Sequence, residues 1–155
     1  MLSKGITVVF VVLLVASLTG SYTTYSRSLR GHAAMVEYDV TFHDIALGEN
    51  DDEYVVTLEV ANRGSDRGEI QSLRVLLRHE DRLIAVQRYT YEDFILESGD
   101  SREVDLDMYS NLRPSKLPGP ESIATDDWSV RVQMKVDIPV RFDNVTIHRQ
   151  RGLSR

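Results

Sequence analysis

The sequence predicts an all-β domain, an antiparallel β-sandwich of about seven strands, preceded by one N-terminal transmembrane helix. After residue 35, apolar and polar residues alternate over most of the chain, which is the pattern of strands with one face buried and one in water. A 22-residue segment near the N-terminus carries no formal charge. None of the 155 residues is a cysteine, so the packing of apolar side chains has to stabilise the domain without disulfides.

The uncharged segment runs from Gly5 to Ser26 and contains an almost wholly apolar stretch at 6–18. As a helix rising about 1.5 Å per residue it reaches roughly 33 Å, enough to cross a hydrocarbon core of about 30 Å. Tyr22 and Tyr25 then lie where an aromatic belt is expected. We therefore expect residues 1–30 to form a membrane anchor and its flank, with membrane lipid as the partner of the helix.

Two alternatives for this segment remain open. A cleaved signal peptide also has a short apolar stretch followed by small residues, here Ala16, Ser17 and Gly20. The Ser3–Gly5 sequence before the apolar run also resembles the processing site of archaeal pilin-like precursors. For an uncleaved anchor, the short N-terminal tail and the sequon at 144–146 favour a cell-membrane protein with its sandwich outside the cytoplasm, and Asn144 is then the expected glycosylation acceptor.

The first four predicted strands follow residue 35 and are separated by turn signals. The turn after the second strand begins at Asn62, and the tight 79–81 connection predicts a hairpin to a fourth strand at 82–91. The alternating apolar residues of the first three strands are Val36, Tyr38, Val40 and Phe42, then Tyr54, Val56, Leu58 and Val60, then Leu73, Val75 and Leu77.

Three further strands are predicted at 103–108, 128–138 and 140–148. A turn at 97–100 precedes the first, and a loop at 110–126 with three of the four prolines is long enough to cross between sheets. The strand from Trp128 to Ile138 has the longest unbroken alternation. Pro139 cannot donate to a β-ladder, so it is expected at a strand end, followed by a turn at Asp143–Asn144.

Seven strands of this kind fit an immunoglobulin- or fibronectin-like sandwich, with closure into a barrel as the alternative. The predicted domains are the anchor and flank at 1–30, the sandwich at 31–148 and a basic C-terminal tail at 149–155. We expect the tail to fray, although contact with anionic lipid headgroups is an alternative.

The last two strands resemble the end of the water-stress and hypersensitive-response (WHy) domain of late-embryogenesis-abundant (LEA) proteins, in which an alternating strand runs through an Ile-Pro-Val corner, here 138–140. The resemblance extends back over residues 54–148 through Val55–Asn62, Ile70–Leu77 and Leu96–Val104. It implies a non-catalytic sandwich associated with dehydration, salt or cell-envelope stress.

Charge is unevenly distributed along the chain. The net charge is −6, and residues 37–148 hold all 24 carboxylates but 12 of the 18 lysines and arginines. With only 3 lysines, the composition resembles that of proteins from salt-loving archaea, in which high salt screens an acidic surface. An acidic body repels phosphate, so nucleic acid is not expected as a partner.

Few residues suggest a catalytic, cofactor-binding or metal-binding site. The four histidines (His32, His43, His79 and His148) have no metal-ligand spacing, and neither Asp51–Glu53 nor Asp126–Asp127 follows a calcium-loop register, although loop carboxylates are potential calcium ligands. No phosphate loop, nucleophile elbow or zinc-helix motif occurs, so we predict neither catalytic residues, cofactor nor metal site, and not an enzyme. Trp128 is expected in the core.

The predicted function is binding or scaffolding by a membrane-anchored, extracytoplasmic WHy-like sandwich, with other envelope proteins as candidate partners. The alternative is an accessory subunit of an archaeal surface filament, either an archaellum or a pilus, or a module that binds the surface layer. The sequence does not predict an oligomeric state.

Overall fold

A computed structural model describes residues 37–113, 116–118, 122–123, 127–139 and 143–153. Within these ranges the chain forms eight β-strands. They are β1 (Tyr38–Leu47), β2 (Glu53–Asn62), β3 (Gly68–His79), β4 (Arg82–Thr90), β5 (Ile95–Leu96), β6 (Ser101–Tyr109), β7 (Trp128–Ile138) and β8 (Asp143–Gly152).

The strands form two antiparallel sheets. The first has the order β1-β2-β6, and the second has the order β4-β3-β7-β8, with β5 paired to the start of β3. One cluster of buried apolar side chains includes residues of both sheets, so the arrangement is sandwich-like. The predicted all-β antiparallel class is confirmed, whereas the N-terminal helix predicted within 1–30 lies outside the described residues.

The buried rows of the sheets are the apolar rows that alternation predicted. Along β7, every second side chain from Trp128 to Ile138 is buried, and β2 has the same alternation from Tyr54 to Val60. Successive side chains of a strand point to opposite faces, so a two-residue period hides one row and leaves the other in water. The predicted position of Trp128 in the core is confirmed, because the residue is 1% exposed.

The turns predicted at 79–81 and 97–100 are confirmed by the backbone conformation. Glu80 and Asp81 both have positive φ and join β3 to β4, with His79 opposite Arg82, which is the geometry of a two-residue hairpin. Gly99 has φ of 81° in the turn before β6, a conformation that glycine adopts without a steric penalty.

The two edges of the sandwich are each joined by one isolated bridge. Phe42 of β1 pairs in parallel with Leu153, and Ala85 of β4 pairs with Ser110. Among the described strands no continuous ladder connects β1 to β8 or β4 to β6, so the sheets approach closure without forming the barrel considered as the alternative.

The C-terminal strand differs from its predicted course. The turn predicted at Asp143–Asn144 is wrong, because both residues lie within β8, opposite Ile138 and Asp137. The β7–β8 connection spans 139–142 and begins with Pro139. The strand then continues to Gly152, although a frayed tail was expected from 149. Alternation stops at His148 because the next inward positions, Arg149 and Arg151, are charged, and an apolar pattern assigns charged residues to solvent.

In the described ranges, no helix has the length and apolar character needed to cross a membrane.

Candidate functional site: two charged faces and an arginine cluster

The outer surface of the β4-β3-β7-β8 sheet carries five cationic side chains. They are Arg74 and Arg78 of β3, Arg88 of β4, and Arg131 and Lys135 of β7, and we call this surface the basic face. Register shows that they share one side of the sheet, because Arg74 pairs with Arg88 and the outward row of β7 lies opposite the outward row of β3.

Carboxylates are confined to one margin of the basic face. Glu69 and Asp137 lie opposite each other where β3 begins and β7 ends. Beyond that pair, the outward positions described for the four strands hold cationic, hydroxyl, amide, imidazole or apolar side chains. The basic face therefore presents concentrated positive charge on a chain whose net charge is −6.

The outer surface of the β1-β2-β6 sheet has the opposite charge. Its outward carboxylates include Asp44, Glu59, Glu103, Asp105 and Asp107, and we call this surface the acidic face. The two faces lie on opposite sides of the sandwich, so the protein has a strongly polarised charge distribution across its thickness.

Local hydrogen bonds relieve part of the repulsion on the acidic face. Glu59 lies directly opposite Glu103, an arrangement that destabilises a sheet. Hydrogen bonds from Ser101 and His43 hold the pKa of the Glu59 carboxyl below its usual value, and the His43 Nε2 to Glu59 Oε2 distance is 3.1 Å. The Thr57 hydroxyl donates to Asp105 Oδ1 at 2.7 Å.

Three arginines surround the Asp39 carboxylate at the β1–β8 edge. Arg151 donates a hydrogen bond to Asp39 Oδ1, while Arg149 Nε lies 3.6 Å from Oδ1 and Arg63 Nη2 lies 3.7 Å from Oδ2. Arg149 also donates to the Tyr38 carbonyl oxygen at 2.7 Å. The residues expected in a frayed basic tail therefore connect the edge strands of the two sheets.

Burial raises the pKa of Asp39, but hydrogen bonds from the Val40 N–H and Arg151, together with the charges of Arg151 and Arg63, outweigh that effect. The net pKa therefore lies below the usual value. Arg149 and Arg151 occupy inward positions of the edge strand β8, and inward-pointing charge at an edge strand also discourages pairing with other chains.

Among the loop carboxylates considered as calcium ligands, Glu53 is hydrogen-bonded within the protein. Glu53 is almost buried, and its Oε2 accepts hydrogen bonds from the Asn50 side-chain amide at 2.9 Å and the Asn50 N–H at 3.3 Å. Burial raises the pKa of Glu53, but hydrogen bonds from Asn50 and Tyr109 outweigh it and lower the pKa below its usual value. Asp127 is exposed immediately before β7, and Asp126 lies outside the described residues.

The described histidines lie in different environments. His43 contacts Glu59, His148 is exposed on the outward side of β8, and His32 lies outside the described residues. His79 lies against Trp128, with 4.7 Å between ring centroids, where its Nε2 is buried without a hydrogen-bond partner among the described residues. Those residues also contain no group of three or more histidines and carboxylates arranged for a metal ion.

The Trp128 side chain makes a hydrogen bond and aromatic contacts that fix its position. Its indole N–H donates to the Ser122 carbonyl oxygen at 2.8 Å, and its ring centroid lies 5.4 Å from that of Tyr54. These contacts place the tryptophan between the two sheets and connect it to the β6–β7 loop.

The predicted glycosylation acceptor, Asn144, is exposed on the outward side of β8, where its amide donates to Gln71 Oε1 at 3.4 Å. Its modification stays a prediction.

Sequence reasoning missed both the charge separation and the arginine cluster. The five basic-face cations occupy polar positions of predicted strands, so assigning each charge to a face by its parity would have found them. The arginine cluster had no such signal, because Asp39 and Arg151 are 112 positions apart.

Comparison with known proteins gives similarities of structure alone. No family model matches the sequence, and no curated protein matches it. The fold is similar to the solution structure of a candidate LEA protein, with 20% identity, a TM-score of 0.45, and coverage of 92% of this chain and 86% of the other.

Two further solved structures are similar. A protein of Arabidopsis thaliana has 18% identity and a TM-score of 0.44, covering 76% of this chain and 78% of its own. A protein from Archaeoglobus fulgidus has 8% identity and a TM-score of 0.43, with 76% and 94% covered.

Proposed function

We propose that this chain is a non-catalytic binding or scaffolding protein of the cell membrane, with its sandwich outside the cytoplasm. The observation that carries the proposal is the basic face, five cations on one side of an acidic sandwich. Clustered charge of one sign accelerates encounter with oppositely charged partners and suppresses encounter with others. The uncharged segment at 5–26 supplies the proposed anchor, and the stress-related role follows from the resemblance to WHy domains.

Membrane attachment and orientation are tested together in intact cells that express the full chain with a C-terminal epitope. We expect the chain to stay with the membranes after alkaline carbonate washing, and added protease to remove the epitope without lysis. A chain released by carbonate, or an epitope protected until lysis, contradicts the proposal. An epitope-tagged cytoplasmic protein controls for leakage.

The second candidate is an accessory subunit of a surface filament or a surface-layer-binding module. The observation that favours it is the pairing of a basic face with an acidic face on one molecule, because contacts between different faces of identical copies extend beyond two subunits. The absence of native cysteines allows a direct test with R131C and D105C, which place one thiol on each face.

Under mild oxidation in membranes, the double variant R131C/D105C forms disulfide-linked trimers and larger oligomers if the basic face of one copy contacts the acidic face of the next. R131C alone forms nothing longer than a dimer. If the double variant also stops at dimers, the filament candidate is wrong.

A further inference from the structure

Arg74 and Arg88 form a pair of like charges on the basic face that no carboxylate compensates. They lie directly opposite each other on β3 and β4. Like charges at directly opposite positions destabilise a sheet, as they do for Glu59 and Glu103 on the acidic face. Hydrogen bonds relieve that second pair, whereas Arg74, Arg88 and the nearby Lys135 make no ion pair within the described part of the chain.

A depression of about 160 Å³ lies between these cations. Arg74, Arg88 and Lys135 line it together with Ser72, Gln133 and Thr146, and the lining includes no carboxylate. Every lining side chain can donate a hydrogen bond. Since a single water needs roughly 10–15 Å³ of such space, the depression has room for a polyatomic group.

Strand geometry brings the lining residues together from four strands of the sheet, β4, β3, β7 and β8. Ser72 lies opposite Lys135, which in turn lies opposite Thr146 of β8. The β3–β7 register shifts between Ile70 and Ser72, where Gln71 is an additional residue. β-Bulges re-aim side chains, and this one turns Ser72 and Arg74 outward while Ile70 and Leu73 both stay in the core.

We infer that this depression binds a tetrahedral oxyanion, the phosphate or sulfate group of a ligand. Guanidinium groups bind such oxygens through paired N–H donors, and an ammonium adds a compact positive charge. In this arrangement Arg74 and Arg88 hold the anion from one side and Lys135 from the other. The Ser72 and Thr146 hydroxyls and the Gln133 amide supply further donors.

The Asp39 cluster offers no equivalent site, because a carboxylate of the chain already lies among its arginines. The oxyanion site rests on the proposed binding function and deepens it by naming the chemistry of the ligand. It does not depend on the membrane anchor, so its failure would leave the carbonate and protease results unchanged.

The test uses the full chain in an uncharged detergent at constant ionic strength, titrated with sodium phosphate or sodium sulfate against sodium chloride by calorimetry. We expect saturable binding of at least one oxyanion and none of chloride. R74Q, R88Q and K135Q each weaken binding tenfold or more. R131Q is the matched control, because it removes one positive charge from the same face outside the depression, and it changes affinity less than threefold.

A second readout separates binding from folding. Without oxyanion, R74Q unfolds at a higher temperature than the unmodified chain, because it removes the repulsion with Arg88. The rise in unfolding temperature caused by the oxyanion is lost in the same variant. The inference is overturned if neither oxyanion binds more tightly than chloride, or if R131Q weakens binding as much as R74Q.

The source of the anion is distinguished in nanodiscs. If a lipid headgroup is the occupant, replacing phosphatidylcholine by phosphatidylglycerol weakens the binding of added oxyanion. If the ligand is a soluble phosphate or sulfate, the affinity is the same in both nanodiscs. Either result supports the site.

Discussion

Asn62 connects the turns at one end of the sandwich. Its side-chain amide donates to the carbonyl oxygens of Asp66, Leu96 and Glu97 at 2.8–3.1 Å, and its side-chain oxygen accepts from the Gly64 N–H at 2.9 Å. The residue is 1% exposed. Water therefore has little access to replace these partners, and a single buried side chain fixes the ends of β2 and β5.

Replacing Asn62 with alanine removes these hydrogen bonds, and the buried Leu96 carbonyl oxygen and the two partly buried ones lose this donor. We expect N62A to lower the free energy of unfolding by about 2 to 4 kcal/mol. Urea unfolding followed by the fluorescence of the single tryptophan, Trp128, measures it. N111A, at an exposed position after β6, is the control and should change stability by less than about 0.5 kcal/mol.

The lowered pKa of Asp39 predicts that the stability of the protein depends on pH. Its pKa is lowered in the folded state, so its contribution is present above the usual carboxyl pKa and is lost as the pH falls through that value towards the folded pKa. D39N removes this contribution. Because the cluster is partly exposed, we expect it to cost about 1 kcal/mol at pH 7 and to decrease the loss of stability on acidification.

Thermal unfolding between pH 7 and pH 3 measures the effect of D39N. D51N, at an exposed carboxylate in the β1–β2 loop, should keep the pH profile of the unmodified chain. Equal profiles for D39N and the unmodified chain would contradict the role of the arginine cluster.

At the scale of elements, β3 is the central connection of its sheet, since it pairs with β4, β5 and β7. Its first residue, Gly68, lies beneath β1 of the opposite sheet. A Cβ atom added there would overlap the Tyr38 hydroxyl and approach Tyr38 Cζ to 2.8 Å and Val136 Cγ1 to 3.1 Å. Tyr38 is fully buried, so it has little room to move away.

We therefore expect G68A to destabilise the protein by about 1 to 3 kcal/mol through overpacking. The matched control is G152A in β8, where an added Cβ has no atom within 4 Å. That variant should be neutral or slightly stabilising, because alanine loses less backbone entropy than glycine on folding. Urea unfolding of both variants tests the close approach of the sheets. Equal free energies of unfolding for G68A and G152A would contradict it.

The same elements explain how far the sequence could predict the fold. The strands β1, β2, β3 and β7 were predictable because a local two-residue period marks their buried rows. β5 was missed because two residues carry no period, and their strand conformation depends on pairing with Gly68 and Glu69, more than twenty positions away. The end of β8 was missed because arginine side chains occupy its inward positions.

For the candidate sites, alternation assigns each charged residue to an outer face but does not show which strands are neighbours. Strand order brings Arg74, Arg88 and Lys135 together, and that order comes from long-range pairing that one sequence does not encode in any local pattern.

At the scale of the whole molecule, the two sheets separate charges that are intermixed along the chain. Packed sheets lie about 10 Å apart, and side chains extend beyond each, so the charged groups of the two faces are separated by more than the Debye length of about 10 Å at 0.1 M salt. Each outer surface therefore acts on its surroundings nearly independently of the other, and the net charge of −6 describes neither.

Ion-exchange chromatography is expected to show the consequence of this separation. A protein of net charge −6 is ordinarily retained only by an anion-exchange resin at neutral pH. This one should adsorb to both resin types at low salt, turning its arginines towards sulfonate beads and its carboxylates towards quaternary-ammonium beads. The triple variant R74Q/R88Q/R131Q should flow through the sulfonate column, whereas D105N/D107N should remain on it. Flow-through of the unmodified chain on sulfonate beads would mean that adsorption follows total charge alone and not orientation.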